Sequence, residues 1–170
     1  MRMTMDHETW LKHYHSWMRE CRKEWKKDSK YQDYWSRLID IITEKNWRFR
    51  FKTIWRNDDK TLRWTCELCG PPEECVGPEI AENYIDANCG IAAHWEIEWI
   101  EIDPIIEEEN DTNFPPEWVD DTEYLCEQLT SEGFEFSIID HFIRIKTNDK
   151  WFEQCGGLID RRPSVLGCYE

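Results

Sequence analysis

The sequence predicts an α+β fold with two N-terminal helices, a mostly antiparallel sheet built from hairpins, and one further helix near 120–131. Apolar residues recur with a helical period in the first 45 residues, and from Trp47 onwards the period changes to two, which is typical of half-buried strands. Turn-forming residues separate the later segments. The length of 170 residues fits one continuous compact domain, in which a basic part, 1–63, precedes an acidic part, 64–170.

The first helix is predicted over residues 6–28 and the second over about 31–45. In the first, apolar residues recur at spacings of three and four and form one stripe, with Trp10 and Trp17 beside it. The stripe consists of Leu11, Tyr14, Met18, Cys21 and Trp25. The apolar face of the second helix consists of Tyr34, Leu38, Ile41 and Ile42.

The segment after Asn46 predicts a strand with an apolar inner face and a basic outer face. A turn is predicted at 57–60, and the alternation resumes at Leu62 and Trp64, which predicts that a returning strand completes a hairpin. The inner residues of the first strand are Trp47, Phe49 and Phe51, and the outer ones are Arg48, Arg50 and Lys52.

Residues 91–103 show the clearest strand pattern in the chain. The first two acids of this segment have one parity and the last two have the other, so a regular strand would place them on opposite faces. We therefore predict one β-bulge at Trp99–Ile100, which would return all four carboxylates to one face. The acids are Glu96, Glu98, Glu101 and Asp103, and the inward residues are then Trp95, Ile97 and Ile102.

After this strand the chain is predicted to form a loop over 104–117 and then a helix. Asp120 and Glu123 have the spacing of a capping box, and Gly133 suits the position just after the end of that helix. A second hairpin is predicted beyond it, with strands at 134–139 and 142–146 joined by Asp140 and His141, and the tail has no regular pattern.

Charge is distributed unevenly along the chain, whose net charge is −15. Residues 1–63 contain 16 Lys and Arg against 10 Asp and Glu, whereas residues 64–143 contain 22 Asp and Glu and neither Lys nor Arg. Those 22 charges equal the charge on about 37 Å of duplex DNA. Because such density destabilises a compact state by self-repulsion, its presence favours a function that uses it, against the alternative of a solvated acidic face that maintains solubility.

A positively charged protein is therefore the partner that the composition predicts, and eight acids are the candidate contacts. Direct nucleic-acid binding through the basic residues is an alternative, although the net charge opposes it. If these basic residues do not bind nucleic acid, we expect them to face the acidic segment; they are Arg48, Arg50, Lys52, Arg56 and Arg63. The eight candidate contacts are Glu96, Glu98, Glu101, Asp103, Glu107, Glu108, Glu109 and Asp111.

A structural zinc site is one interpretation of the cysteines, and ordinary buried or free thiols are the other. Cys66 and Cys69, followed by Gly70, have the spacing of one zinc knuckle, and Cys89 could contribute half of a second. A knuckle partner for Cys89 would stand at position 86, which is Asp86. The fourth ligand would then come from Cys75, Asp86 or His94.

No motif for catalysis is present, so we predict that the protein is not an enzyme. The chain has no nucleophile elbow, phosphate-binding loop, dinucleotide fingerprint or paired-histidine metalloprotease motif. The alternative is a metal-dependent hydrolase that uses His94 with Glu96 and Glu98. The N-terminal segment lacks the apolar core of a signal peptide, and no run of 18 apolar residues occurs, which predicts a cytoplasmic location without membrane contact.

In acidity, size and tryptophan content, the chain is similar to the DNA-mimic inhibitors that phages carry against restriction and CRISPR systems, and the likeness lies mainly in residues 64–143. The resemblance implies an inhibitor in the cytoplasm of the host cell. Its carboxylates would occupy the basic nucleic-acid channel of a nuclease complex and exclude the nucleic acid. The alternative is a zinc-ribbon-like adaptor or regulatory module that binds its partner through a tryptophan-rich surface.

Overall fold

The computed structural model describes residues 6–55, 64, 84–87, 90–108, 114–155 and 158–163. The helices are α1 (His7–Lys26), α2 (Ser29–Ile42), α3 (Thr122–Ser131) and α4 (Asp149–Gln154). The strands are β1 (Arg48–Thr53), β2 (Tyr84–Ala87), β3 (Gly90–Ala93), β4 (Ile97–Asp103), β5 (Ile105–Glu108), β6 (Glu117–Asp120), β7 (Phe136–Ile139) and β8 (Phe142–Lys146). The predicted α+β class is confirmed, and none of the described helices is long and apolar enough to cross a membrane.

Both predicted N-terminal helices are confirmed, and an aspartate caps each one. The Asp6 carboxylate accepts a hydrogen bond from the Thr9 amide at 2.9 Å, and Asp28 accepts one from the Tyr31 amide at 3.3 Å. These carboxylates satisfy amide groups that the first turn of a helix leaves without a partner. The caps therefore fix where α1 and α2 begin.

The buried stripe of α1 is rotated slightly from the predicted one. Trp10 and Trp17 are buried, whereas Leu11 and Tyr14 are only half-buried. Indole rings remove more apolar surface from water than leucine does, so the helix orients its tryptophans inward. This orientation places the Tyr14 hydroxyl within hydrogen-bond distance of Glu96, just before β4.

Four strands form an antiparallel sheet with the order β1–β4–β8–β7. The predicted hairpin of β7 and β8 is confirmed, and Asp140 at its turn has a positive φ of 58°. The described partner of β1 is β4, which pairs Phe49 with Ile102 and Phe51 with Ile100. Of the hairpin predicted after β1, residues 57–62 lie outside the described residues and Trp64 is not in a strand, so that hairpin stays a prediction.

The predicted continuous strand over 91–103 is wrong, because a 3-10 turn at His94–Glu96 separates β3 from β4. The predicted bulge at Trp99–Ile100 is also misplaced. The β1–β4 register is regular from Trp99 to Asp103 and then shifts, since Lys52 pairs with Trp99 and Thr53 with Ile97. Glu98 is therefore the extra residue, and a bulge there turns its side chain to the face of Glu101.

The loop predicted over 104–117 is also wrong in part, because Ile105–Glu108 is the strand β5, which pairs antiparallel with β6 at Glu117–Asp120. The predicted capping box is wrong as well. The N-cap of α3 is Asp121, and Asp120 instead accepts a hydrogen bond from the Thr122 amide at 2.9 Å. The predicted helix itself is confirmed, and so is the glycine predicted after its C-terminal end: α3 ends at Ser131, and Gly133 follows with a φ of +79°.

The hydrophobic core lies between the helices and one face of the four-stranded sheet. It is dense in large rings, and Trp17 donates from Nε1 to the Leu158 carbonyl at 2.8 Å while Trp35 donates to Asn148 at 3.1 Å. These bonds satisfy the polar atoms that burial of an indole would otherwise leave unpaired. The inner face of the sheet consists of Phe49, Phe51, Ile97, Ile100, Ile102, Ile143 and Ile145.

Candidate interaction surfaces

The outer face of the sheet, opposite the helices, is a layer of ion pairs centred on β4. Glu101 is 1% exposed and lies between two arginines from the neighbouring strands. Its Oε1 accepts from Arg50 Nε at 2.9 Å, and its Oε2 accepts from Arg144 Nε at 2.9 Å. Since each arginine presents a planar set of donors, one carboxylate satisfies both cations and is satisfied by them.

The same layer continues on both sides of Glu101. Asp103 forms an ion pair with Arg48 and lies 3.8 Å from His141 Nε2, and Glu98 forms an ion pair with Lys52. The prediction that β1 turns its basic residues toward the acidic segment is therefore confirmed for all three of its cations.

Aromatic rings cover part of this ion-pair layer. The Arg50 guanidinium lies 4.4 Å from the ring centre of Trp64, and the Arg144 guanidinium lies 4.1 Å from that of Trp99. A cation over an indole face is attracted by the ring electrons, and the ring also shields the ion pair from water. The layer therefore resembles a second, polar core more than an open charged surface.

Glu96, the fourth predicted carboxylate, lies apart from this layer and is buried. Its Oε1 accepts from the Tyr14 hydroxyl at 2.8 Å and from Trp55 Nε1 at 2.9 Å, and its Oε2 accepts from the Ala93 amide at 2.8 Å. Three donors from separate segments thus converge on one carboxylate. Glu96 ties α1, the end of β1 and the 3-10 turn together, which is a structural role that its parity in the sequence could not indicate.

The four predicted strand carboxylates are therefore not one free acidic surface. The structure brings Glu98, Glu101 and Asp103 to a common face, as predicted, but cations of this chain already occupy that face. Glu101 and Asp103 are buried there, and only Glu98 keeps much access to water.

A different arrangement is found in β5 and β6, which form a two-stranded ribbon next to the sheet. We call the strands Ile105–Glu108 and Glu117–Asp120 the acidic ribbon. Glu108 lies directly opposite Glu117, and Glu107 lies opposite Trp118. Facing like charges destabilise a strand pair, and the ribbon has no Lys or Arg that could compensate them.

The acidic ribbon is open to water on both faces, because Glu108 and Glu117 point to one face and Glu107, Trp118 and Asp120 to the other. Glu107, Glu108, Glu117 and Asp120 are all exposed. Trp118 is 67% exposed, and Phe114, just before the second strand, is 74% exposed. The pKa of Asp120 is lowered because the hydroxyl and amide of Thr122 donate to its carboxylate, so this acid stays ionised. Two further predicted contacts, Glu109 and Asp111, lie outside the described residues.

Only two of the predicted zinc ligands, Asp86 and His94, lie among the residues that the structure describes. Cys66, Cys69, Cys75 and Cys89 lie outside the described residues, and Asp86 belongs to β2. Within the described ranges, no three His, Cys, Asp or Glu side chains lie close enough together to hold a metal ion. The zinc site and the thiol alternative therefore both stay predictions.

His94, the remaining predicted ligand, is buried between tryptophans. Its ring stacks on Trp35 with 4.5 Å between ring centres and an angle of 7°, and its Nε2 has no hydrogen-bond partner. Burial lowers the pKa of His94 to about 3, so the imidazole is neutral at pH 7. The hydrolase alternative would use His94 with Glu96 and Glu98. Glu96 is buried and accepts from Tyr14, Trp55 and Ala93, whereas Glu98 lies on the outer face of the sheet, away from His94 in the core.

Comparison with models of known protein families gives no match, and neither the curated proteins nor the solved structures yield a similar chain. A functional conclusion therefore depends on the two acidic regions described above.

Proposed function

We propose that this protein acts by binding a partner, and that the acidic ribbon docks on a basic surface with which that partner holds nucleic acid. The supporting observation is the combination of facing carboxylates at Glu108 and Glu117 with the exposed ring of Trp118. Such an arrangement reduces the stability of the ribbon when the protein is alone. A cationic surface would remove this repulsion on binding, and the ring would supply apolar contact.

The charge spacing of the ribbon supports nucleic-acid mimicry. The ribbon carries four carboxylates over four residue pairs, and a strand rises about 3.4 Å per residue, so it has roughly one charge per 3.4 Å. One strand of duplex DNA has the same spacing, at about one phosphate per 3.4 Å. The acids lie on both faces, Glu108 and Glu117 on one and Glu107 and Asp120 on the other, so a groove that encloses the ribbon would meet a charge per unit length similar to that of a phosphate backbone. The proposed partner is a nuclease or another nucleic-acid effector, and the proposed location is the cytoplasm of the host cell.

The test compares two triple variants with equal net charge. The ribbon variant carries Glu107→Lys, Glu108→Lys and Glu117→Lys. The matched control carries Glu127→Lys, Glu153→Lys and Asp160→Lys, at three exposed acids elsewhere on the molecule. Each protein is immobilised and exposed to host lysate, and bound proteins are eluted with a salt gradient or with duplex DNA and then identified.

The proposal predicts that wild type and control retain the same nucleic-acid-binding protein, that DNA and a few hundred millimolar salt release it, and that the ribbon variant does not retain it. Equal retention by the ribbon variant and the control would refute a role for the ribbon. Retention of a partner that DNA does not displace would refute mimicry.

A second candidate is the adaptor function, which the exposure of Phe114 and Trp118 favours. Aromatic residues at this level of exposure are frequent anchors of protein interfaces. An adaptor contact would lose affinity in the double variant Phe114→Ser and Trp118→Ala but would change little with salt. Electrostatic mimicry would lose affinity steeply with added salt, and would lose more in the ribbon variant than in the double aromatic variant.

A further inference from the structure

α1 presents a row of cations to water on the side opposite its buried residues. Arg19, Lys23 and Lys26 are exposed and follow one another at spacings of four and three, which places them on one face of the helix. Cys21 and Trp25, which are buried, lie on the other side. We call Arg19, Lys23 and Lys26 the basic face of α1.

In the part of the chain that the structure describes, no acid forms an ion pair with the basic face. The three acids of α1 each lie next to a different cation. These pairs are Glu8 with Lys12 at 3.1 Å, Glu24 with Lys27 at 3.2 Å and Glu20 with Arg161 at 3.9 Å.

The basic face is therefore a source of repulsion within α1. Arg19 and Lys23 are one helical turn apart, and like charges at this spacing destabilise a helix. The helix dipole favours Lys23 and Lys26, which lie in the last turn, but Arg19 lies before that turn. An anion from outside the chain would remove this repulsion on binding.

The basic face and the acidic ribbon lie at opposite ends of β4. Tyr14 of α1 donates to Glu96 at 2.8 Å, and the ring centre of Trp25 lies 5.7 Å from that of Trp95, so α1 packs just before the start of β4. The ribbon begins at Ile105, two residues after β4 ends. A strand of seven residues is about 20 Å long. Since charges are screened over about 8 Å at physiological salt, the ribbon does not prevent an anion from contacting α1.

The composition of α1 favours the phosphate backbone of a duplex over other anions. Every exposed residue of α1 is polar, so the helix offers no apolar side chain to a lipid bilayer and no Phe, Tyr or Trp ring on which unpaired bases would stack. The ribbon of a second copy would bring Phe114 and Trp118 against this polar face and leave their rings without apolar contact. Lys and Arg bind phosphates without apolar contact.

The length of the basic face also fits a phosphate backbone. From Arg19 to Lys26 the helix rises about 10 Å, which is the distance over which one strand of a duplex places about three phosphates.

We propose that the basic face of α1 binds the phosphate backbone of a double-stranded nucleic acid. The inference deepens the proposed function and rests on it for the nature of the partner. That partner is a nucleoprotein, whose cationic surface meets the ribbon and whose own duplex meets α1. The cations of β1 do not serve this contact, because Arg48, Arg50 and Lys52 are paired with acids of β4.

Binding at α1 is tested with nucleic acid alone. Fluorescence anisotropy measures the affinity of the full-length protein for a DNA duplex of about 20 base pairs, an RNA duplex of the same length and single-stranded oligo-dT, over a series of salt concentrations. The α1 variant carries Arg19→Gln and Lys23→Gln. The matched control has the same net charge and carries Lys45→Gln and Lys146→Gln, at two exposed lysines elsewhere.

We expect wild type and control to bind a duplex more tightly than oligo-dT, and the tighter duplex identifies DNA or RNA as the source of the backbone. The α1 variant should bind about tenfold or more weakly, and the slope of log K against log salt should fall by about two, because two phosphate contacts are lost. The charge-preserving variant Arg19→Lys with Lys23→Arg should retain the wild-type slope.

The nucleoprotein partner is tested in host lysate. The α1 variant should retain less of the partner than the control does, and digestion of the lysate with nuclease should remove this difference. Equal retention by the two variants before digestion would overturn the nucleoprotein partner.

Equal affinity and salt slope for the α1 variant and the control, or no duplex binding by wild type, would overturn binding at α1. Tighter binding of oligo-dT would overturn the assignment to a duplex. Two other results would also overturn the inference. They are binding to phosphatidylserine vesicles without binding to a duplex, and self-association that the α1 variant loses. If duplex binding behaves as expected but the ribbon variant and its control retain the partner equally, the proposed function fails and binding at α1 stands.

Discussion

The outer face of the sheet and the acidic ribbon are both built from the segment that contains no Lys or Arg, yet their charges have different environments. In β4, Glu98, Glu101 and Asp103 meet cations that β1 and β8 bring from outside that segment. In the ribbon, Glu108 meets Glu117. The comparison shows that the charge of a segment does not reveal which of its acids are available to a partner, because pairing between distant strands decides it.

The two regions also differ in what their charges do for the fold. The sheet buries Glu101 and Asp103, so each must keep its arginine to avoid an unpaired buried charge. The ribbon leaves its carboxylates in water, where each charge costs little but facing charges repel. Substitutions should therefore have opposite effects on stability in the two regions.

The largest effect is expected for Glu101→Gln. This change leaves Arg50 and Arg144 beside a neutral group in a mostly buried site, and loss of one partner from a buried ion pair typically costs about 3–5 kcal/mol. Because both arginines keep some access to water, we expect about 3 kcal/mol, measured by urea unfolding. Glu107→Gln in the ribbon is the control and should change the free energy of unfolding by less than about 0.5 kcal/mol. Similar values for the two variants would contradict the comparison.

Acid should destabilise the interior through His94. Its pKa in the folded protein is about 3, below the ordinary value near 6.5, so the unfolded chain binds a proton there that the folded chain does not. This contribution to stability is complete well above pH 6.5 and declines as pH falls, by up to about 1.4 kcal/mol per unit, or about 2 kcal/mol between pH 7 and 5. Unfolding measurements across this range should show a smaller slope for His94→Phe than for wild type. An unchanged slope would show that His94 titrates normally.

A gain in stability is expected for Glu117→Lys. The change replaces the facing carboxylates of Glu108 and Glu117 with an opposite-charge pair, which is worth about 0.5–1 kcal/mol in a strand ladder. Thermal unfolding should report the gain, and Glu127→Lys on α3 serves as the control with the same change of net charge. If both variants gain equally, the effect comes from net charge and not from the cross-strand pair.

The smallest effect is expected at the end of the ribbon. Thr122→Val removes a hydroxyl that donates to Asp120, so the pKa of Asp120 should rise toward its ordinary value. The native contact favours the ionised acid, and its small stabilising effect is present at neutral pH and lost as pH falls through the acid range. NMR titration of the Asp120 carboxyl carbon measures the shift, with Thr130→Val as a remote control. An unchanged pKa would show that the Thr122 hydroxyl contributes nothing to it.

Local patterns in the sequence predicted much of the secondary structure. In three places a few neighbouring residues were enough to indicate the local conformation. These are the helical stripe of α1, the alternation of Phe49 and Phe51 in β1, and the glycine after α3. The presence of a bulge in β4 was also predictable, because the parity of the acids changes along the segment; the prediction placed four carboxylates on one face, and the structure places three there. Its position at Glu98 was not, because the register is set by Lys52 and Thr53 of a distant strand.

The candidate site was less predictable than the fold. Glu107 and Glu108 were expected to contact a partner, but their pairing with Glu117 and Trp118 was not, since each strand of the ribbon has four residues and Pro115 and Pro116 indicated a loop. The short matching segments before Glu109 and after Pro116, both apolar and acidic, were the available signal. Whether β4 acids were exposed could not be predicted, because their cations come from β1 and β8.

The placement of β4 between β1 and β8 has a consequence for how the chain reaches its native state. Both pairings of β4 join segments more than 35 residues apart, and non-local pairings of this kind slow folding because long loops must close first. Here the closing segments carry opposite charge, so they attract each other while the chain is still unfolded. Added salt should weaken that attraction and slow refolding. During synthesis, residues 1–63 leave the ribosome before the acidic segment that neutralises them. Until β4 is available, their Lys and Arg side chains can bind other polyanions.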